Sequence, residues 1–410
     1  MIITSALQNA KQPDVTPNGS IPDPAGSGYA GRVQTKSKQP VSPELAKKVA
    51  SYFRCLNTIT DDLAGMPVQH FRRANGRTER ILPNAALQNI AYLLEVRPNR
   101  WMKSPFILKK TAYTWLLSWG NSLIWRPAPP APPELFILPT NATRPLLDPE
   151  ANLWYEVRLP GRAKPLYIPS VEVKHTMINS TNGIWGRGVL EYADATVGLR
   201  RGMSATQESI QGQGLNPDAY IMVNSVLDAE GRKKYRDSYS ELISGSDQAG
   251  TLAVFDNKVT KFEPITMKLT DAQFLESVDA TDADIANFFK FPEYKLNMGK
   301  QSYESNSQQD LDYLKSCLDP FLVQDEQASR VSWLSDAEQI DQYFKANRES
   351  VLRTDAKTRA ELHEILIRNG LLNRDEARAI EDRDAVDNGQ KFYISSNYAE
   401  IGAPSNVPAP

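Results

Sequence analysis

This sequence is poorest in the residues that most enzyme chemistry needs, with two cysteines and three histidines in 410 residues. Cys55 and Cys317 belong to no CxxC pair, and Cys55 falls on an apolar helical face, so both read as buried free thiols rather than a disulfide or a nucleophile. His70, His175 and His363 lie far apart, with no HxH or HxxxH spacing, which removes the usual zinc signatures and leaves three structural histidines. There is no GxxxxGK[ST], no strand-linked GxGxxG and no GxSxG. The glycine-rich Gly183-Ile-Trp-Gly-Arg-Gly188 lacks the lysine and Ser/Thr of a phosphate cradle and reads as a turn into a helix. Acid pairs such as Asp61-Asp62, and Asp282 with Asp284, are common in a chain with 49 acidic residues, and no base, nucleophile or orienting group accompanies them. The expectation is a protein with no catalytic site, no metal and no cofactor.

Long hydrophobic runs are missing as well. No window of about eighteen apolar residues occurs, and the first residues lack a basic stretch followed by an apolar one, so neither a membrane span nor a secretion signal is expected. The reading is a soluble, intracellular chain without a membrane partner. Excess positive charge is absent too: the net charge is −2 and the pI about 6.1, which argues against a large basic surface gripping nucleic acid. Trp101, Trp115, Trp119 and Trp125 alternate with basic residues, as in a stacking platform for single strands. Trp115 and Trp119 are i and i+4 on one helix, however, and core packing is the stronger reading.

What is present is an ordinary globular composition, 41% hydrophobic and 23% charged, enough for several packed units. Residues 1–42 mix Pro, Gly, Ser and Lys without periodicity and are expected to form a disordered arm; the tail at 399–410 reads as flexible. From Pro43 to Gly65 apolar residues step by three or four, predicting one amphipathic helix. Strands at 68–73 and near Ile81 follow, then helices at 84–96 and 103–118 and strands near 121–126, 134–138, 153–159 and 171–177. Residues 189–212 predict a helix roughly 36 Å long whose second half is too polar to stand without a neighbour. A compact insert comes next, with strand 219–223, helix 228–243 and strands 251–255 and 259–264. Further helices are expected at about 270–290, 303–334, 355–369 and 373–382, the last opened by Asn373 and Glu376 at capping-box spacing.

Residues 284–318 are the most informative stretch. Ile285, Phe288 and Phe289 end a helical stripe, Pro292 stops that helix, and Lys295, Gly299 and Lys300 give a flexible basic segment before the next long helix. On pattern alone this is a surface helix hairpin. Acidic Asp271, Glu276, Asp279, Asp282 and Asp284 precede the lysines; they read equally as a solvated helix face or as a mostly repulsive wall before a basic constriction.

This stretch resembles the portal proteins of tailed bacteriophages with long non-contractile tails. The residues that carry the likeness here are Ile285-Ala286, Phe288-Phe289, Phe291-Pro292, Tyr303-Glu304-Ser305-Asn306, Gln308-Gln309 and Leu318-Asp319-Pro320-Phe321-Leu322 with Glu326. Others flank them in the same order: Cys55, Ile59, Ala64 and Pro67; Arg97-Pro98-Asn99; Gly120-Asn121; Val173 to His175 leading into Gly186, Gly188, Leu190 and Ala193. Downstream lie Leu352-Arg353-Thr354-Asp355 with Arg359, Asn369-Gly370 and Glu376-Ala377-Arg378. The likeness runs from about residue 45 to about 395, and its order and spacing are more specific than any one motif. The chain departs from the family's pattern at Asp375, where Asn is usual, at Lys290 or Phe291, where a glycine is usual, and in the proline-rich 126–133.

The resemblance implies an α+β portal fold with wing, helical stem, small α/β clip and helical crown, assembled as a ring, with a dodecamer as the expected count. It places a wing at 43–188, stem helices at 189–212 and 267–291, a clip at 213–266 and a tunnel loop at 292–302. The long helix and its return to the wing occupy 303–352, and crown helices 353–398. It implies a DNA channel at a capsid vertex for genome packaging, head–tail joining and ejection, in a virion assembled in the host cytoplasm. Lys295, Asn297, Lys300 and Gln301 would line the channel, with Lys295 and Lys300 facing phosphate, and Lys233 and Lys234 of the clip would dock the packaging motor. The implied partners are further copies of the chain, double-stranded DNA, the terminase large subunit, the major capsid protein and a head–tail adaptor. The alternative is a head–tail connector ring with a purely structural role.

Overall fold

The computed structural model describes the short strands 19–20 and 33–34 and residues 40–74, 76–162, 164–212, 219–223, 230, 259–264, 271–296, 306–348, 356–381 and 383–393. In chain order the first strands are β1 (Gly19–Ser20), β2 (Val33–Gln34) and β3 (Pro40–Val41). Next come α1 (Pro43–Ala46), α2 (Ala50–Gly65), β4 (Val68–Ala74), β5 (Arg77–Ile81), α3 (Ile90–Glu95), α4 (Pro105–Trp119), β6 (Asn121–Trp125) and β7 (Phe136–Ile137). They are followed by β8 (Thr143–Leu147), β9 (Leu153–Val157), β10 (Leu166–Pro169), β11 (Val173–Met177), α5 (Val189–Gly212), β12 (Ala219–Val223) and β13 (Val259–Pro264). The rest are α6 (Asp271–Phe288), α7 (Asn306–Tyr313), α8 (Asp319–Trp333), α9 (Glu338–Asp341), β14 (Gln342–Ala346), α10 (Ala356–Arg368) and α11 (Arg374–Ile380). The chain divides into two compact units, residues 1–348 and 349–410.

In the first unit the strands form small antiparallel sheets of order β1-β8-β9-β10, β11-β6-β7 and β14-β4-β5, with the separate pairs β12-β13 and β2-β3. Mixed helix and small sheets is the α+β class expected from the sequence. Leu123, Trp125, Phe136, Tyr155, Ile168 and Val173 form one apolar cluster drawn from strands of the first two of these sheets. Within the segment read as an arm, Gly19 pairs with Leu147 and Ser20 with Leu146 at the edge of β8.

Several boundaries differ from the sequence reading, each for a local reason. The expected helix over 84–96 shrinks to α3, because Asn84 Oδ1 accepts from the backbone N–H groups of Ala86 and Leu87, and Asn89 caps the helix by accepting from Tyr92 N at 3.0 Å. Side-chain turns of this kind outcompete helix at those positions. The helix expected over 43–65 breaks at Val49, whose backbone is extended. Strands β8 and β10 carry prolines, Pro145 and Pro169, which blurred their alternation.

The long helix expected at 303–334 runs as α7, one π-helical stretch at Leu314–Leu318 and α8. Pro320 near the start of α8 explains the widened turn: it has no N–H to give, and its ring would press on the carbonyl four residues back. The helix is tied to the sheets by a buried cation. Lys174 on β11 donates to Asp325 Oδ1 at 2.6 Å and Ser329 Oγ at 3.3 Å, and its ammonium lies 4.6 Å from the Trp333 ring centroid. On the return strand β14, Phe344 stacks on His70 of β4 at 4.6 Å. The second unit contains α10 and α11; Gly370, at φ 69°, follows α10, and Asn373 and Glu376 form the expected capping box on α11.

Candidate functional site

The joint that carries the long helix α5 out of the sheets is built from glycines and one asparagine. Gly120 ends α4 in the left-handed region at φ 81° and sends its N–H to Leu116 O at 2.8 Å. A Cβ on Gly186 would lie 2.2 Å from Gly120 O, and one on Gly188 2.3 Å from Ser118 O, so two backbone segments touch where side chains cannot fit. Asn121 binds across this contact: its Oδ1 accepts from Gly186 N at 2.7 Å and its Nδ2 donates to Gly186 O at 2.9 Å. The same Oδ1 faces His175 Nε2 at 2.9 Å. Gly120-Asn121, His175, Gly186 and Gly188, all among the residues that carry the resemblance, thus form one hub.

From the hub, α5 runs beside α6. Asp282 of α6 accepts from Arg200 Nε at 2.9 Å and from Ser51 Oγ of α2 at 2.7 Å, joining three helices at one carboxylate. Of the acids grouped in the sequence, Asp282 is therefore an interior partner, while Glu276, Asp279 and Asp284 stay exposed. Thr281 and Ile285 are buried on the inner side of α6, whereas Leu275 and Phe288 are exposed.

The end of α6 leads into the candidate channel segment. Phe291 N donates to Ala286 O at 2.9 Å and Lys290 N to Asn287 O at 3.0 Å, the paired bonds of a Schellman stop, with Lys290 at φ 53° where glycine is the favoured residue. Lys290 and Phe291 are the two positions at one of which the resembled pattern usually has glycine. Phe289 meets Tyr52 edge-on at 5.2 Å and Phe291 meets Tyr313 edge-on at 5.8 Å, both phenylalanines buried. Burial of each ring contributes about 2 kcal/mol, enough to fix the helix end. The neighbouring thiols are inert: burial pushes Cys55 and Cys317 up to about 12, and Cys317 Sγ donates to Phe289 O.

After Pro292 a single 3₁₀ turn spans Glu293–Leu296. Tyr294 donates its hydroxyl to Asp310 Oδ1 of α7 at 2.9 Å. Lys295 Nζ lies 3.5 Å from the same oxygen and 4.5 Å from the Tyr313 ring centroid, and its side chain is only 24% exposed. Tyr313 in turn donates to Asp62 Oδ2 of α2 at 3.0 Å. Burial raises the Asp62 carboxyl above its ordinary range, against the lowering by the Tyr313 hydrogen bond and the Lys295 charge. Of the site residues named from the sequence, Lys295 is thus placed in a partly buried cluster within the single chain. Asn297, Lys300 and Gln301 lie outside the described residues, as do Lys233 and Lys234. The cluster itself was missed; Tyr294, Asp310 and Tyr313 are ordinary residues at helix spacing, and only their convergence marks them.

Among the described residues no group of three His, Cys, Asp or Glu could hold a metal ion, and no helix is long and apolar enough to cross a membrane. The chain is 26% identical over 223 residues to the probable portal protein of Streptomyces phage phiC31, a match covering 53% of this chain and 48% of that protein. It is 21% identical over 406 residues to the portal protein of Enterobacteria phage HK97, covering 94% of this chain and 90% of that protein. Its fold is similar to a chain in the neck of an empty gene transfer agent particle, with a TM-score of 0.57 at 17% identity, over 88% of this chain and 98% of the other. The family pattern described as phage portal protein matches residues 50–382, a span that takes in the glycine hub, α5 and α6, the turn after Pro292 and the long helix, and the chain belongs to that family.

Proposed function

We propose that the chain is one subunit of a ring at a capsid vertex, whose axial channel passes double-stranded DNA inward during packaging and outward during ejection. The observation that carries this reading is the portal family match over residues 50–382, continuous through both stem helices and the turn that follows them. In this reading α5 and α6 are the stem, and residues 292–302 line the narrowest part of the channel. Lys300 faces phosphate there, and Asn297 and Gln301 offer neutral hydrogen bonds. Few positive charges suffice, because ring symmetry repeats every phosphate contact and affinity climbs steeply with their number; a conduit must not hold its cargo. The insert between β12 and β13 is the clip, with Lys233 and Lys234 available to a terminase large subunit during packaging and the same face to a head–tail adaptor afterwards. The wing meets the major capsid protein. The subunit supplies no chemistry of its own, and nucleotide hydrolysis belongs to the docked motor. Assembly takes place in the host cytoplasm, the virion is the final location, and a dodecamer is the expected count.

Tyr192 and Leu199 of α5 and Leu275 and Phe288 of α6 are exposed in the single chain, apolar surface of the kind that head-to-tail contacts in a closed ring would cover. The purified protein is therefore expected to assemble without DNA or ATP. Analytical ultracentrifugation and a cryo-EM map are the test. A stable 45.8 kDa monomer at micromolar concentration counts against the ring, and a map in which 292–302 points away from the lumen reduces the protein to a structural connector.

A further inference from the structure

We propose that Lys295 is a positioning residue, clasping the turn after Pro292 to α7 through Asp310 rather than touching DNA. The inference rests on the reading that residues 292–302 face the channel. Asp310 Oδ1 takes the Tyr294 hydroxyl at 2.9 Å and the Lys295 ammonium at 3.5 Å, so one carboxylate at the start of the long helix holds two successive residues of the turn after Pro292. The ammonium also sits over Tyr313, and Tyr313 is fixed from behind by its hydrogen bond to Asp62. Three elements, α2, the 3₁₀ turn and α7, thus converge on one lysine.

The electrostatics favour this role over a phosphate contact. Two carboxylates, Asp310 and Asp62, lie near the ammonium, so an approaching phosphate would meet negative charge beside the positive one. Drawing Lys295 out to DNA would strip Asp310 of its cation and the Tyr313 ring of its cation–π partner.

The test is a charge exchange in the full-length protein: Lys295→Asp, Asp310→Lys and the two combined, with DNA packaged and retained per particle as the readout. The clasp predicts that each single change lowers packaging about tenfold and that the combined exchange restores most of it, because the pair is remade with its signs reversed. A direct DNA contact predicts that the combined variant stays as poor as Lys295→Asp, since an aspartate would then face phosphate; that result overturns the proposal. Should the reversed charges block assembly, the milder Lys295→Met and Asp310→Asn decide by hydrogen exchange of residues 293–296 in the assembled protein. Exchange about tenfold faster in both supports the clasp, and unchanged exchange in either overturns it. Lys300→Ala tests the underlying reading separately: if residues 292–302 do not face DNA, it leaves packaging unchanged while the exchange result still reports on the clasp.

Discussion

His175 has both ring nitrogens engaged, and its partners fix its tautomer. Asn121 Oδ1 can only accept, so Nε2 carries the proton and Nδ1 accepts from the Tyr155 hydroxyl, each contact being 2.9 Å. Desolvation lowers the imidazole to about 4, below its ordinary 6.5. A base whose folded pKa is depressed keeps its full contribution above the unfolded value and loses it as pH falls from 6.5 toward 4, here on the order of 3 kcal/mol. Thermal unfolding of the parent should therefore drop more steeply across that window than that of His175→Gln, and parallel curves would refute the assignment. Lys290 gives a second prediction at this scale. A lysine at φ 53° in a Schellman stop carries a left-handed penalty that glycine does not, so Lys290→Gly should stabilise by about 1 kcal/mol, read as a rise in melting temperature. A fall in melting temperature would mean that the lysine side chain supplies something the stop itself does not.

Elements in this chain are joined at points where backbone meets backbone or where a buried charge is paired. The contact of Gly120 with the chain before α5 is of the first kind, and Gly186→Ala would set a methyl 2.2 Å from a carbonyl oxygen that is itself locked in a turn. That change is expected to cost about 3 kcal/mol and to lower the yield of assembled protein, measured by denaturation and size-exclusion chromatography. A Gly202→Ala control in the middle of α5, where a Cβ meets nothing within 4 Å, should be neutral or mildly stabilising. The Asp282 junction and the Lys174–Asp325 pair are of the second kind, each holding a long helix against its neighbours. The stripe of α6 was legible because a helix that buries one side repeats its apolar residues every three or four positions. The π stretch was not, since only the need to seat Pro320 in an uninterrupted helix creates it.

At the scale of the molecule, the first unit holds the large core, while in the second, among the described residues, Ala377 is the one buried apolar side chain and Leu362, Ile365, Leu371 and Phe392 are exposed. The described part of this unit therefore gains little from folding alone, and in the proposed ring assembly would cover such surface. If the insert between β12 and β13 is the proposed clip, it provides the prediction that separates assembly from docking. Reversing charge at Lys233 and Lys234 should weaken binding of the terminase large subunit while the ring forms as before, checked by pull-down and ultracentrifugation on the same preparation. Equal loss of both would make the insert part of the contact between subunits.

The sequence by itself determined the things that depend on local chemistry and order: the absence of catalytic signatures, the course of α5 and α6, the stop before Pro292, the capping box on α11 and the portal pattern spread across the chain. These follow from spacing, from backbone preferences and from the types of residue present, none of which needs a neighbour in space. Only the tertiary structure decided what Lys295 touches. A lysine beside a glycine-bearing basic loop reads as free charge, yet Asp310, Tyr313 and Asp62 come from other turns of the chain and surround it. The same holds for Asp282, which is one of a run of acids until Arg200 and Ser51 approach it. Charge is written in the sequence, but its partner is set by packing, because two residues many positions apart meet only when the helices between them have been laid side by side.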